Sequence, residues 1–211
     1  MRFLGISLVV FASFVAAGIA RAADDDPYAK NGVYLGVGAS YGVPLFGNSI
    51  EDALPGNAHV SNAWGVNGRI GYRFHKFLAA EAEYEWLSHF GMRISDISGN
   101  HALGNASLQT ITANLKVIAP YRQFQPYVLV GFGPTFASVD TAPGSTLAHD
   151  HTSYSTRFGL GIDYYLSENV ALNLGSEFVV NTAKISANNT SDGGSRGFDY
   201  YSAQGGLTFK F

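Results

Sequence analysis

The chain has 211 residues, with 13 Lys plus Arg against 16 Asp plus Glu, no Cys, and charged residues at only 14%. The missing Cys exclude a disulfide scaffold and a lipoprotein anchor, and the acidic balance excludes a nucleic-acid partner, which asks for clustered basic residues. The 12 Tyr, 15 Phe and 25 Gly exclude a disordered chain, and with so little charge they suit a surface facing lipid better than one facing water.

The first 22 residues carry a secretory signal pattern: Arg2 as a short positive region, a nearly continuous apolar run from Phe3 to Ala17, and small residues at the end of Ala20-Arg21-Ala22. Cleavage is expected after Ala22 or one residue later, on a Sec-type export route. The apolar run is short for an amino-terminal membrane anchor, and no spanning-helix pattern follows it. Removing 22 residues from 211 leaves one domain of 189, residues 23–211, and takes Lys plus Arg from 13 to 11 against 16 acidic residues. The mature chain opens on Asp24-Asp25-Asp26.

Eight stretches then alternate with the period of two that a strand imposes. The first, Val33 to Gly42, places Val33, Leu35, Val37, Ala39 and Tyr41 on one parity. In Ala63 to Phe74, Trp64, Val66, Ile70 and Tyr72 alternate with Asn67, Arg69, Gly71 and Arg73. In Leu78 to Trp86, an apolar set ending on Tyr84 and Trp86 alternates with Glu81, Glu83 and Glu85. Leu108 to Ile118, Pro126 to Ala137, Tyr154 to Tyr165 and Asn169 to Val180 follow the same rule. The last stretch, Asp199 to Phe211, sets Tyr201, Ala203, Gly205, Leu207, Phe209 and Phe211 against Tyr200, Ser202, Gln204, Gly206, Thr208 and Lys210. A strand of that length is long for a soluble sheet and fits a tilted bilayer crossing.

A soluble sandwich would alternate in the same way, so the connections decide. Pro44 to Asn62, Leu87 to Ser107, Ser138 to Ser153 and Asn181 to Phe198 are 16 to 21 residues long, whereas His75 to Phe77, Ala119 to Gln125 and Leu166 to Glu168 are short. Long and short connections alternate strictly, so all the long ones fall at one end. This is the asymmetry of an outer-membrane barrel, with long external loops and short periplasmic turns. Tyr41, Trp64, Trp86 and Phe136 sit at the long-loop ends of their strands, and Tyr72, Phe74, Tyr164, Phe209 and Phe211 at the short-turn ends. Two aromatic girdles are expected.

The stretches "NGVYLGVGASYG", "QPYVLVGFGP", "FGLGIDYYLSENVALNLGSEF" and the terminal "GGLTFKF" resemble the small eight-stranded outer-membrane β-barrel proteins, the group that includes the OmpA transmembrane domain and OmpX. The resemblance covers essentially the whole mature chain and implies an all-β, eight-stranded antiparallel up-and-down transmembrane barrel. It also implies that Tyr201, Leu207, Phe209 and Phe211 form the carboxy-terminal signal read by the barrel assembly machinery. Outer-membrane lipid and lipopolysaccharide, together with periplasmic chaperones, are the implied partners. A peptidoglycan-binding domain after the barrel stretch, as in full-length OmpA, is not expected.

Eight strands enclose a lumen just wide enough for side chains to fill. A turn centred near His75 sets Arg69 opposite Glu81, and one centred near Ser167 sets Arg157 opposite Glu177, all pointing inward by parity. Glu83, Glu85, Lys116 and Asp163, with Asn67 and Asn114, extend the network. A polar plug that locks the barrel is expected ahead of a working ion pathway.

His59, His89, His101, His149 and His151, five of the six His, fall in the long connections. His149-Asp150-His151 is a sparse metal pattern, and with Ser153 it maps onto no lipid-modifying motif, so no enzyme, cofactor or metal site is expected. The leading function is structural and surface contact, with the long loops taking an extracellular ligand. A narrow channel for ions or small solutes is the alternative, and a lipid-acting enzyme the third.

Overall fold

The computed structural model describes residues 26–45, 57–96, 99–141, 151–181 and 199–211. The signal segment 1–22, Asp24, Asp25 and His149 lie outside these residues. After a single 3-10 turn at Pro27–Ala29 come nine strands: β1 (Gly32–Pro44), β2 (Asn57–Val60), β3 (Ala63–His75), β4 (Leu78–Asp96), β5 (Gly99–Ile118), β6 (Phe124–Thr141), β7 (His151–Tyr165), β8 (Val170–Asn181) and β9 (Tyr200–Lys210).

Each strand pairs antiparallel with its neighbours, β1 pairs with both β3 and β9, and β4 pairs with β5, so the sheet closes on itself. The short β2 continues β3: His59 opposes Arg93 on β4 in the same register in which Trp64 opposes Ser88, and the Ser61 amide donates to the Gly91 carbonyl at 2.9 Å between them. The two therefore form one barrel strand pinched at Ser61–Asn62. The result is a closed eight-stranded antiparallel barrel. Closure leaves no unpaired edge, which a spanning sheet needs because hydrocarbon offers its backbone no hydrogen bonds.

Burial is inverted relative to a soluble fold. Along β1, Val33, Leu35 and Val37 are exposed while Tyr34 and Ser40 on the opposite parity are buried, and along β8 Leu172, Leu174 and Phe178 are exposed while Asn173 and Glu177 are buried. The apolar parity thus forms the outer surface and the polar parity fills the lumen. Inward glycines let large lumen side chains lie flat on the wall. A Cβ at Gly36 would stand 2.5 Å from Cγ of Arg69, and one at Gly161 would overlap the Tyr127 hydroxyl and stand 2.5 Å from the Leu174 carbonyl oxygen.

The strands correct the expected loops. Leu87 to Ser107, expected as a long connection, is mostly β4 and β5, paired as far as Asp96 with Gly99. Pro44 to Asn62 contains β2, and β6 and β7 extend into Ser138 to Ser153. His59, His89, His101 and His151 therefore have strand backbones. The 19-residue β4 and 20-residue β5, at about 3.3 Å per residue and a tilt of about 45°, rise roughly 45 Å, beyond a hydrocarbon core of about 30 Å. The alternation broke off at Trp86 because the β4–β5 ladder shifts between Leu87 and Phe90, both of which are buried. Such a bulge reverses the parity.

The short turns are tight. Tyr121 and Phe124 exchange two backbone hydrogen bonds, of 3.2 and 3.0 Å, around Arg122, whose φ is +53°. At the other terminus the Phe211 amide donates to the Val33 carbonyl at 2.9 Å, and the Lys210 amide to that of Asn169 at 2.8 Å.

Candidate functional site

The lumen is the one place where the strands concentrate chemistry among the described residues. Its centre is Arg157, on the inward parity of β7 and fully buried. Its Nη1 donates to Glu83 Oε1 at 2.9 Å and in a short bond to Glu177 Oε2, while Nη2 donates to Glu85 Oε2 at 3.0 Å. One guanidinium therefore ties β7 to its neighbour β8 and, across the barrel, to β4.

The carboxylates accept further hydrogen bonds from other strands. Glu85 accepts from Ser202 Oγ at 2.5 Å and Tyr200 OH at 2.9 Å, and Glu83 accepts from Gln204 Nε2 at 2.8 Å and Asn114 Nδ2 at 3.2 Å. Glu81 accepts from Tyr34 OH at 2.7 Å. Nearer the short turns, Lys116 Nζ pairs with Asp163 at 2.7 Å and stands 3.7 Å from the centroid of the Tyr127 ring, and Asn173 bonds both Asp163 and the Tyr127 hydroxyl. Multiply hydrogen-bonded charges of this kind offset the desolvation that burial imposes.

Two expected oppositions need correction. In the β3–β4 ladder Arg69 faces Glu83, not Glu81, because the turn centres on Lys76 rather than His75. Its Nη2 donates instead to Gln204 Oε1 at 3.2 Å and Asn67 Oδ1 at 3.3 Å. Arg157 faces Val179, and Glu177 faces Gly159. The Arg157–Glu177 contact is therefore diagonal, reached because both chains lie on the inward face.

Apolar layers bracket the charges. At the long-connection end, Ala63, Leu87, Phe90, Leu108, Ala137, Val179 and Tyr200 pack together, and at the short-turn end Tyr34, Ala79, Ile118, Tyr127 and Leu129 do so. The sequence reading missed this packing, as well as Arg73, Lys210 and the inward tyrosines Tyr34, Tyr127 and Tyr200. The available signal was that each tyrosine sits on the polar parity of its strand.

On the outer face, Trp64, Trp86 and Phe136 are exposed near one end, and Tyr72, Phe74, Tyr164 and Phe209 near the other. Tyr41 is half-buried against Trp64, with ring centroids 4.7 Å apart. Leu207, Phe209 and Phe211 are exposed, and Tyr201 packs edge-on against Phe178 at 5.2 Å. Ser153 Oγ donates to the Thr135 carbonyl at 3.5 Å, and no group of three or more His, Cys, Asp or Glu among the described residues is arranged to hold a metal.

Residues 8–211 match the family model of the outer membrane protein beta-barrel domain. Among solved structures, the chain is similar to the outer membrane protein OprG from Pseudomonas aeruginosa, at 19% identity and TM-score 0.65 over 89% of this chain and 99% of that one. It is also similar to Neisserial surface protein A, at 20% identity and TM-score 0.54 over 85% and 97% of the two chains. A third similar structure is the attachment invasion locus protein Ail of Yersinia pestis in complex with the heparin analogue sucrose octasulfate, at 12% identity and TM-score 0.53 over 86% and 99%. At these identities the likeness concerns the fold. No curated protein matches the chain.

Proposed function

Because the chain belongs to the outer membrane protein beta-barrel domain family, we propose that it is a structural and surface-contact protein of the outer membrane, whose lumen is plugged by its own side chains. The observation that carries this reading is the charge balance inside the barrel. Among the described residues, Arg69, Arg73, Lys116, Arg157 and Lys210 are buried with Glu81, Glu83, Glu85, Asp163 and Glu177, five cations with five carboxylates. A balanced set, interlocked across strands and closed above by Leu87 and Phe90, favours a rigid core over an ion-selective pore.

A plugged barrel leaves its exterior to do the work. The apolar parity binds lipid, the aromatic rows sit at its interfaces, and the β2–β3, β4 and β5 extension carries chain past the bilayer, where an extracellular ligand is contacted. The heparin analogue on Ail is that protein's ligand; for this chain it supports only the idea that an eight-stranded barrel of this size presents a binding surface. We read residues 1–22 as a Sec-type signal removed on export, Tyr201 to Phe211 as the address for the assembly machinery, and the protein as non-enzymatic.

Swelling of proteoliposomes in small sugars and amino acids tests the reading. Swelling no faster than protein-free liposomes is expected, and solute entry would replace the plug with a channel. Mass spectra of lipid A from cells with and without the protein are expected to coincide; a new acylation state would make it an enzyme.

A further inference from the structure

The short-turn mouth of the barrel is covered by the chain's own amino-terminal segment. We propose that Asp26–Lys30 is a strap that closes this mouth, holding the three short turns and the last strand together and shutting the lumen to water from the periplasmic side. The inference goes beyond the plug, since a strap at the mouth gates the lumen whether or not the centre conducts.

Three of its five residues, Asp26, Tyr28 and Lys30, reach β3, β9, the end of β7 and two of the three short turns. Tyr28 supplies the centre: its carbonyl oxygen accepts from Arg73 Nη1 at 3.3 Å and from Lys210 Nζ at 3.2 Å. Arg73 also donates to the carbonyl of Lys76 in the β3–β4 turn and to Gln125 Oε1 at 2.7 Å. The Tyr28 ring lies 5.6 Å from that of Tyr165, and its hydroxyl accepts from Gln123 Nε2 at 3.3 Å. Asp26 takes the Arg122 amide of the β5–β6 turn on one carboxylate oxygen, at 3.1 Å, and caps its own turn through the Tyr28 amide with the other, at 3.0 Å. Lys30 reaches Glu168 in the β7–β8 turn at 2.7 Å.

The chemistry explains both the seating and its reversibility. Arg73 and Lys210 are buried cations with no ion pair among the described residues, so a peptide oxygen from the strap is their shared acceptor. Arg73 keeps the Lys76 and Gln125 oxygens without the strap, but Lys210 loses this acceptor, and burying a cation without one is costly, which favours the closed arrangement. Both cations stand at the mouth, however, where water replaces that oxygen once the segment lifts. The Lys30–Glu168 pair is exposed on both sides and adds little. Pro27 fixes one φ of the turn and lowers the entropy lost on seating.

The Cys-free chain allows a direct test. Thr208, buried on the inward face of β9 two residues inside Lys210, is changed to Cys in the mature barrel, with and without residues 23–30. The rate of labelling by an anionic methanethiosulfonate is then measured from the periplasmic side. The strap predicts labelling at least an order of magnitude faster in the shortened chain, because access no longer requires local opening; equal rates would overturn it. Should the shortened chain fail to fold, Tyr28→Gly at full length is compared in the same way. In the intact protein, nuclear Overhauser contacts between the Tyr28 and Tyr165 rings are expected, and their absence in an otherwise assigned barrel would also refute the strap.

Discussion

Arg157 and Glu83 lie 2.9 Å apart with both side chains wholly removed from solvent, although 74 residues separate them in the chain. Truncating the guanidinium strands three carboxylates, Glu83, Glu85 and Glu177, to which no other cation among the described residues is bonded. Arg157→Ala is expected to cost about 3 to 5 kcal/mol. Arg69, whose hydrogen bonds go to Asn67 and Gln204, is expected to cost less on the same change, about 1 to 3 kcal/mol. Urea unfolding in detergent, followed by the heat-modifiable gel band, ranks the two; the reverse order would show that Arg157 does not organise the lumen.

The outer face makes a depth-dependent prediction. Leu174, midway along β8 and 65% exposed, faces lipid, whereas Trp64, 68% exposed, sits at the long-connection end of β3. Leu174→Arg is expected to destabilise the barrel in phospholipid bilayers by about 2 to 4 kcal/mol, and Trp64→Arg by about 1 kcal/mol or less from the charge alone. Equal costs would mean that Leu174 does not lie at the bilayer midplane.

Arg122 holds a left-handed φ of +53° while its amide bonds Asp26. Arg122→Gly removes the Cβ clash of that conformation and keeps the amide, so a stabilisation of up to about 1 kcal/mol is expected in the same unfolding assay. Arg122→Val, branched at Cβ, is expected to destabilise instead.

Phe211 separates folding from assembly. The residue is 73% exposed, whereas its backbone amide is already bonded to Val33. Phe211→Ser is therefore expected to leave refolding into detergent nearly unchanged while lowering the amount of protein inserted into the outer membrane of cells. An equal loss in both settings would assign Phe211 to stability rather than to recognition by the assembly machinery.

These residues also show how much was legible beforehand. The barrel was, because lipid on one side and packed polar groups on the other impose the same two-residue period on every strand, as in Val33 to Gly42. Register was less so: a turn centred on Lys76 instead of His75 moves the partner of Arg69 from Glu81 to Glu83 without changing which face either occupies. The extension of β4 and β5 was hidden because the bulge at Leu87–Phe90 swaps inward and outward positions. The bonds from Arg157 to Glu83 and Glu85 cross between strands that are not neighbours, and pairwise turn geometry carries no information about them. The seat of Tyr28 was equally invisible, since one short turn has no periodicity to read.

The plug that we propose is a lumen filled by its own balanced charges. Single-channel recording of the refolded mature protein in a planar bilayer, with far-UV circular dichroism confirming β structure in the same preparation, tests it most directly. A folded barrel that stays electrically silent across the accessible voltage range is the predicted result. Steady openings whose conductance changes with Arg157→Ala or Glu83→Gln would contradict it and make the Arg157 cluster the lining of a channel.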